Sequence, residues 1–441
     1  MPEQNTQNGA KPPETPEGIT KITIGGYKSI AQEQSIEIRP LTILAGANSS
    51  GKSSIMQPLL LLKQTLEAPY DPGPLLLNGP NVKFTSTEQV FSRTEQEVDV
   101  KAFHVGIEPH GHDAITSYFE KHMGKSLILK KMVMSNGIGA MAFHMDMTSE
   151  ELEALVPAAV KQIYAEAFQD QEQFSYIVIR ERCFLEPKFR TKTVEASLLP
   201  FVYPVAVELR QLIHLPGLRG NPARTYPVSA VGNEFAGTFD FYVASVIAQW
   251  QSEASGNLGT LCEHLISLGL TNVVTAEPIN DTQVELRVGR TTSSDTSDVV
   301  SIADVGFGVS QTLPVLVALL AAKPGQLVYL EQPEIHLHPR AQTAMAQVLA
   351  DAAMRGVRVV AETHSSLLLL GIQTLVAEGK LSPDLVKLHW FTRGDDGATT
   401  IRSADLDETG AFGDWPEDFD DVTLDAQSRY LDAAERRLVG K

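Results

Sequence analysis

Residues 46–53 read Gly46-Ala47-Asn48-Ser49-Ser50-Gly51-Lys52-Ser53, a glycine, four residues, then Gly-Lys-Ser. Each fixed position has a mechanical job. The two glycines allow backbone turns closed to other residues and let N–H groups approach an anion closely. Lys52 adds a compact cation at the β- and γ-phosphates of a nucleotide, and the Ser53 hydroxyl suits a Mg²⁺ bridging those phosphates. The flanks fit this use. Leu41 to Leu44 is an apolar run with the character of a buried strand, and Ser54 to Glu67 has helical spacing. The new helix would aim its free N–H groups at the phosphates.

Composition bounds the rest. The chain has 441 residues, 43% hydrophobic and 20% charged, as in a globular protein of one large or two to three ordinary domains. No apolar run is long enough to span a bilayer, so no membrane contact is expected. The polar, Pro-rich first eighteen residues read as a disordered tail and not a signal peptide. Two distant cysteines, Cys183 and Cys262, exclude a disulfide framework and suit reduced thiols in the cytoplasm. The formal net charge is −18, which excludes a general nucleic-acid coat; DNA or RNA would need a local patch. Basic residues gather at Lys121, Lys125, Lys130 and Lys131 and at Lys188, Arg190 and Lys192, and mixed solvated faces explain both groups as well. Acidic residues gather at Glu417, Asp418, Asp420 and Asp421.

Short alternating runs at Ile22 to Gly26 and Ser35 to Arg39 read as strands before the loop. From about Val98 to Met145 the pattern is β-like. Thr148 to Glu151 has the form of a capping box opening a helix from Ser149 to Ala167. Thr238 to Ser252 and Leu258 to Leu268 have helical spacing, and Val284 to Val288 reads as a strand. Chemically dense sequence resumes only near residue 304, and a compact domain does not carry a structureless loop of that length. The expected division is therefore a tail (1–18), a first core half (19–95), an inserted lobe (96–279), a second core half (280–405) and a small acidic segment (406–441).

Leu327 to Leu330 reads as a central parallel strand ending in Glu331-Gln332-Pro333-Glu334. A carboxylate at that strand end sits at the edge the phosphate loop occupies, so Glu331 could join Ser53 in a Mg²⁺ shell, with a second carboxylate orienting water. The next strand, Val357 to Ala361, runs into Glu362-Thr363-His364-Ser365, which puts His364 within reach of the γ-phosphate or the attacking water. Asp304 to Gln311, with Gly306, Gly308 and Ser310, precedes a long apolar helix; an anion site and a simple tight turn both fit. Glu334, His336 and His338 alternate, which on a strand would allow a metal site.

The ordered set resembles the ABC-type AAA ATPases of the SMC/RecF/OLD (overcoming lysogenisation defect) branch. The resemblance covers roughly residues 19–95 and 280–405 and implies an α/β fold: an ABC/SMC-head-like P-loop NTPase with a mixed central sheet and a large α+β insertion. It implies ATP and Mg²⁺ as ligands, with Gly46 to Ser54 as the Walker A site and Glu331 as the Walker B acid. Gly308 and Ser310 fall in the place of the ABC signature and His364 at the switch histidine. Two further stretches, His214 to Tyr226 with Arg219 and Arg224, and Gly413 to Asp420, resemble a bacterial defence-associated subgroup with a small C-terminal domain of unknown function. The implied mechanism is an ATP sandwich of two protomers, switched by hydrolysis and acting with a separate effector such as a nuclease. The alternatives are a DNA-maintenance ATPase and an ATP-clamped scaffold. Gln332 departs from the pattern, standing where a catalytic glutamate is expected: either Glu334 serves instead, or hydrolysis is slow and ATP acts largely as a clamp. Gln89 is the one candidate for the Q-loop glutamine.

Overall fold

The computed structural model describes residues 18–93, 102–122, 127–135, 139–158, 160–162, 175–191, 194–198, 202–293 and 298–413. Residues 1–17 of the expected N-terminal tail and the acidic end from residue 414 lie outside them, as do Lys125 and Lys192.

Strands β1 (Ile19–Gly25) and β2 (Gln34–Glu37) pair antiparallel, and β3 (Leu41–Gly46) then leads into α1 (Lys52–Glu67). Strands β4 (Ala102–Pro109), β5 (Ala114–Lys121), β6 (Leu127–Ser135) and β7 (Ala140–Phe143) follow. They extend the first sheet antiparallel in the order β2-β1-β4-β5-β6-β7. The short helix α2 (Ser149–Leu155) opens on the expected capping box: Thr148 Oγ accepts from Glu151 N at 3.2 Å and Glu151 accepts from Thr148 N at 2.9 Å. Strands β8 (Ser175–Glu181), β9 (Phe184–Arg190) and β10 (Glu195–Ser197) form a small antiparallel sheet, and α3 (Val202–Gln211) packs on α1.

After β11 (Ile213–Leu215) come β12 (Tyr226–Pro227), α4 (Val243–Ser252), α5 (Gly256–Ser267), β13 (Val274–Asn280), β14 (Gln283–Gly289) and β15 (Val299–Ser301). Then α6 (Phe307–Ala321), β16 (Leu327–Glu331), α7 (Pro339–Met354), β17 (Arg358–Thr363), α8 (Ser366–Ala377), β18 (Val386–Arg393) and β19 (Thr399–Ala404) complete the described chain. The central sheet has the order β11-β16-β17-β3-β18-β19. Every pairing is parallel except β18 with β19. This is the expected α/β architecture with a mixed central sheet.

The apolar strands read as continuous runs because both faces are buried. Leu41, Ile43 and Ala45 of β3, Val328 and Leu330 of β16, and Val359 and Ala361 of β17 point into one core with α6, α7 and α8. Leu44, Leu327, Tyr329 and Val360 point into the other, with α1 and the antiparallel sheet. Burying one such aliphatic side chain contributes about 1.5–3 kcal/mol, so a single Val360→Asp would strike the middle of the frame.

Strands from the expected lobe at 96–279 pair with strands of the core. Strand β4 pairs with β1, Ile107 opposite Ile22, and β11 is the edge strand of the central sheet, His214 opposite Tyr329. The sheet edge left by β16 needed a partner, and the chain supplies it from the middle of the sequence.

Candidate functional site

The loop between β3 and α1 carries the expected strain. Gly46 has φ 146° and Gly51 φ 101°. A Cβ on Gly46 would stand 2.4 Å from the Phe391 carbonyl oxygen, and one on Gly51 would stand 2.3 Å from Thr399 Oγ. Only glycine fits either position. Lys52 curls back so that Nζ donates to the carbonyls of Gly46 at 2.9 Å and Ala47 at 2.8 Å. Burial lowers its pKa, opposed by the charges of Glu362 and Glu334.

A cavity of about 830 Å³ opens over the loop. Ser49, Ser50, Gly51, Lys52, Ser53 and Ser54 line it, with Glu331, Gln332, Glu362 and His364 opposite. Gly46 lies buried beneath it, and Ala47 and Asn48 stand exposed at the turn. Gln89 also borders the cavity, but its side-chain oxygen is taken by the backbone N–H groups of Thr85 and Ser86.

The carboxylate against Ser53 is Glu362. Ser53 Oγ donates to it at 2.7 and 3.0 Å, and Tyr329 Oη donates to it at 3.0 Å. Glu362 is 4% exposed. Burial pushes its pKa up to about 7, with the nearby charge of Glu331 adding to the rise. Burial likewise lifts the Tyr329 hydroxyl far above its ordinary range.

Glu331 sits one strand away, in register with Glu362. Its Oε1 accepts from His214 Nε2 at 3.1 Å and its Oε2 from the Gly217 backbone N–H at 3.0 Å. Burial pushes its pKa up, but His214, the Gly217 N–H and the nearby Arg219 charge together outweigh burial and lower it. Arg219 ties the same strand end to α6, its guanidinium donating to the Glu331 carbonyl and the Gln311 carbonyl, each at 2.9 Å. Burial lowers the Arg219 pKa to about 10. Arg224 is a surface residue paired with Asp304.

Glu334 is buried, and one oxygen accepts from Thr363 Oγ at 2.7 Å and from His364 N at 3.2 Å. Its other oxygen has no hydrogen-bond partner among the described residues. Burial raises its pKa, partly offset by the Thr363 and His364 bonds. Burial and the Lys52 charge lower that of His364. Gln332 takes a left-handed turn (φ 48°) while its N–H stays bonded to the Glu362 carbonyl at 2.8 Å.

The loop and strand-end residues expected from sequence thus converge, but Gly308 and Ser310 do not border the cavity. Gly308 faces Leu270, and the hydroxyl of Ser310, buried in the first turn of α6, donates to the Phe307 carbonyl at 3.4 Å. The alternating histidines make no metal site. His338 caps α7 by accepting from Arg340 N, and the His336 ring lies against Phe307. No cluster of three or more His, Cys, Asp or Glu suited to a metal occurs among the described residues. A Mg²⁺ held mainly by water, phosphate and one or two carboxylates needs no such cluster. The cradle at Gly46 and Gly51, the lysine, and the serine–glutamate pair fit that ion with a nucleoside triphosphate.

The described members of both basic groups are engaged. Lys121 pairs with Glu88 and Lys130 with Glu120, and Lys131 lies over the Tyr118 ring. Lys188 and Arg190 pair with Glu195. Among the described residues, no helix is long and apolar enough to cross a membrane.

Residues 18–174 match a family model described as an AAA ATPase domain. Residues 197–370 match one described as "AAA domain, putative AbiEii toxin, Type IV TA system". No curated protein matches the chain. Solved structures similar to it include the SMC head domain from Thermotoga maritima (10% identity, 88% of this chain and 100% of that one, TM-score 0.41). The Smc head domain with an extended coiled coil bound to the C-terminal domain of ScpA, from Pyrococcus furiosus, is 10% identical over 88% of this chain and 96% of that one (TM-score 0.46). The Smc head domain with a coiled coil and joint from Pyrococcus yayanosii is 12% identical over 89% and 98% (TM-score 0.45). The two family matches support an ATPase of the AAA kind.

Proposed function

We propose that the chain binds and slowly hydrolyses ATP and acts as an ATP-dependent dimeric switch. The observation that carries this reading is the convergence of Lys52 and Ser53 with two strand-end glutamates, Glu331 and Glu362, around one cavity. Lys52 and the loop N–H groups would hold the β- and γ-phosphates. Ser53, Glu362 and Glu331 would hold Mg²⁺, which when bound neutralises charge on the phosphates. His364 would hydrogen-bond the γ-phosphate or the attacking water. Gln332, an amide, orients water but does not take its proton. Glu334, with a free buried oxygen and a raised pKa, is the carboxylate suited to do so.

Gly308 and Ser310 lie away from the cavity of their own chain, and Phe307 beside them is 52% exposed. This supports a site completed by the signature stretch of a second protomer. The resemblance to the OLD branch, with the toxin–antitoxin description of the second family match, supports service in a defence-type complex with a separate effector. Phosphate release from Mg·ATP tests the enzymatic reading. Wild type should turn over and Lys52→Ala should not; equal turnover in the two would reject the assignment.

A further inference from the structure

Glu331 does not orient itself. Its carboxylate is gripped by His214, a residue 1% exposed on the edge strand β11, and by the backbone of Gly217. The imidazole is itself set from behind. Asn81 Nδ2 lies 3.1 Å from His214 Nδ1 and 3.0 Å from the Gly237 carbonyl. A carbonyl oxygen only accepts, so Gly237 fixes which end of the Asn81 amide faces it. His214 Nδ1 therefore accepts from Asn81, and Nε2 carries the proton that goes to Glu331. Asn81 in turn hangs from the nucleotide-loop helix, because Gln64 of α1 accepts from the backbone N–H groups of Asn81 and Val82 at 3.2 and 3.0 Å. The His214 ring also stacks on Tyr329, centroids 5.4 Å apart and planes 10° apart. Tyr329 is the residue that donates to Glu362.

We infer that His214, oriented by Asn81, is a positioning residue that aims the Glu331 carboxylate at the Mg²⁺ of the nucleotide site. The inference rests on the ATP-binding reading above. A donor that fixes a carboxylate ligand behind its metal changes metal affinity without touching the nucleotide. The chain path explains the arrangement. The edge strand drawn from the middle of the sequence both covers the open side of β16 and delivers the imidazole to its last residue.

The test is the Mg²⁺ dependence of binding of a fluorescent ATP analogue to the full chain. Metal-free binding in EDTA depends on Lys52 and the loop amides. His214→Phe keeps a ring against Tyr329 and removes the donor. It should raise the Mg²⁺ concentration for half-maximal binding by roughly 10–100-fold, while EDTA binding moves little. His214→Gln, whose amide N–H falls near the place of Nε2, should restore most of that loss. Should His214→Phe not fold, Asn81→Ala, which frees the ring, should shift the Mg²⁺ dependence in the same direction. An unchanged Mg²⁺ midpoint in the folded variants overturns the inference. So does a loss in His214→Phe that is equal with and without Mg²⁺. Wild type that binds no nucleotide in either condition overturns the underlying site reading instead.

Discussion

Replacing Glu362 with glutamine should make the nucleotide-free protein more stable at alkaline pH while damaging its site. An ordinary glutamate ionises near 4.5 and Glu362 near 7. A gap of that size corresponds to about 3 kcal/mol of folding free energy. The sign follows from the direction. The folded protein prefers the protonated acid, so the contribution of Glu362 to stability is fully present below pH 4.5 and is lost as pH rises from there through 7. At pH 8 wild type therefore carries the full cost of an ionised, buried carboxylate. Glutamine has the same shape and no charge. Its oxygen can still accept from Ser53 or Tyr329, while its N–H groups go without ready acceptors, a loss of about 1 kcal/mol. The net expectation is a gain of about 2 kcal/mol for Glu362→Gln at pH 8 and a difference within about 1 kcal/mol at pH 5. Urea unfolding midpoints of both proteins at both pH values measure this. A variant less stable than wild type at pH 8, or a gain that does not change with pH, would refute the reasoning. The same variant should lose Mg²⁺-dependent nucleotide binding, because the destabilising charge is the one proposed to face the ion.

Acid should act through His389, whose ring is buried with both nitrogens bonded, one to Ser403 Oγ and one to the Glu37 carbonyl, each at 2.8 Å. Burial lowers its pKa to about 4, so the contribution of His389 to stability should fall by about 3 kcal/mol as pH drops from 6.5 to 4. The difference between the denaturation midpoints of wild type and His389→Gln across that range checks this: wild type should lose ground to the variant as pH drops, and a difference that does not change with pH would refute it. Restoring a carboxylate with Gln332→Glu should raise phosphate release by about 100-fold or more if a general base is what wild type lacks at that position; an unchanged rate would leave the proton to Glu334. Light scattering with and without Mg·ATP should report a doubled mass with nucleotide, and a mass indifferent to nucleotide would count against the two-protomer site.

The phosphate loop was legible because its information is local. Two glycines, a lysine and a serine at fixed spacing between an apolar strand and a helix need no distant partner to be understood. The strand ends at Glu331 and Glu362-Thr363-His364 were legible as ends, and the parallel sheet that joins them followed from the apolar runs. The pairing of those ends was not. Glu362, not Glu331, meets Ser53, because the β16–β17 register brings both glutamates to one level and β17 lies between β16 and β3. Local periodicity carries no register between strands. A glutamate directly before Thr363-His364 was the available signal. His214 was harder still: it meets Glu331 from 117 positions away, through an edge strand three residues long. The pairing of β4 with β1 and of β11 with β16 was not legible for the same reason, since both are long-range.

The central claim is that the loop at residues 46–53 binds Mg·ATP, and titration calorimetry tests it most directly. Wild type should bind one ATP per protomer in Mg²⁺. Lys52→Ala should weaken binding by roughly 1,000-fold, the loss of about 4 kcal/mol expected for a charge pair at close range in a partly buried site. Binding of equal strength in the two proteins would contradict the account.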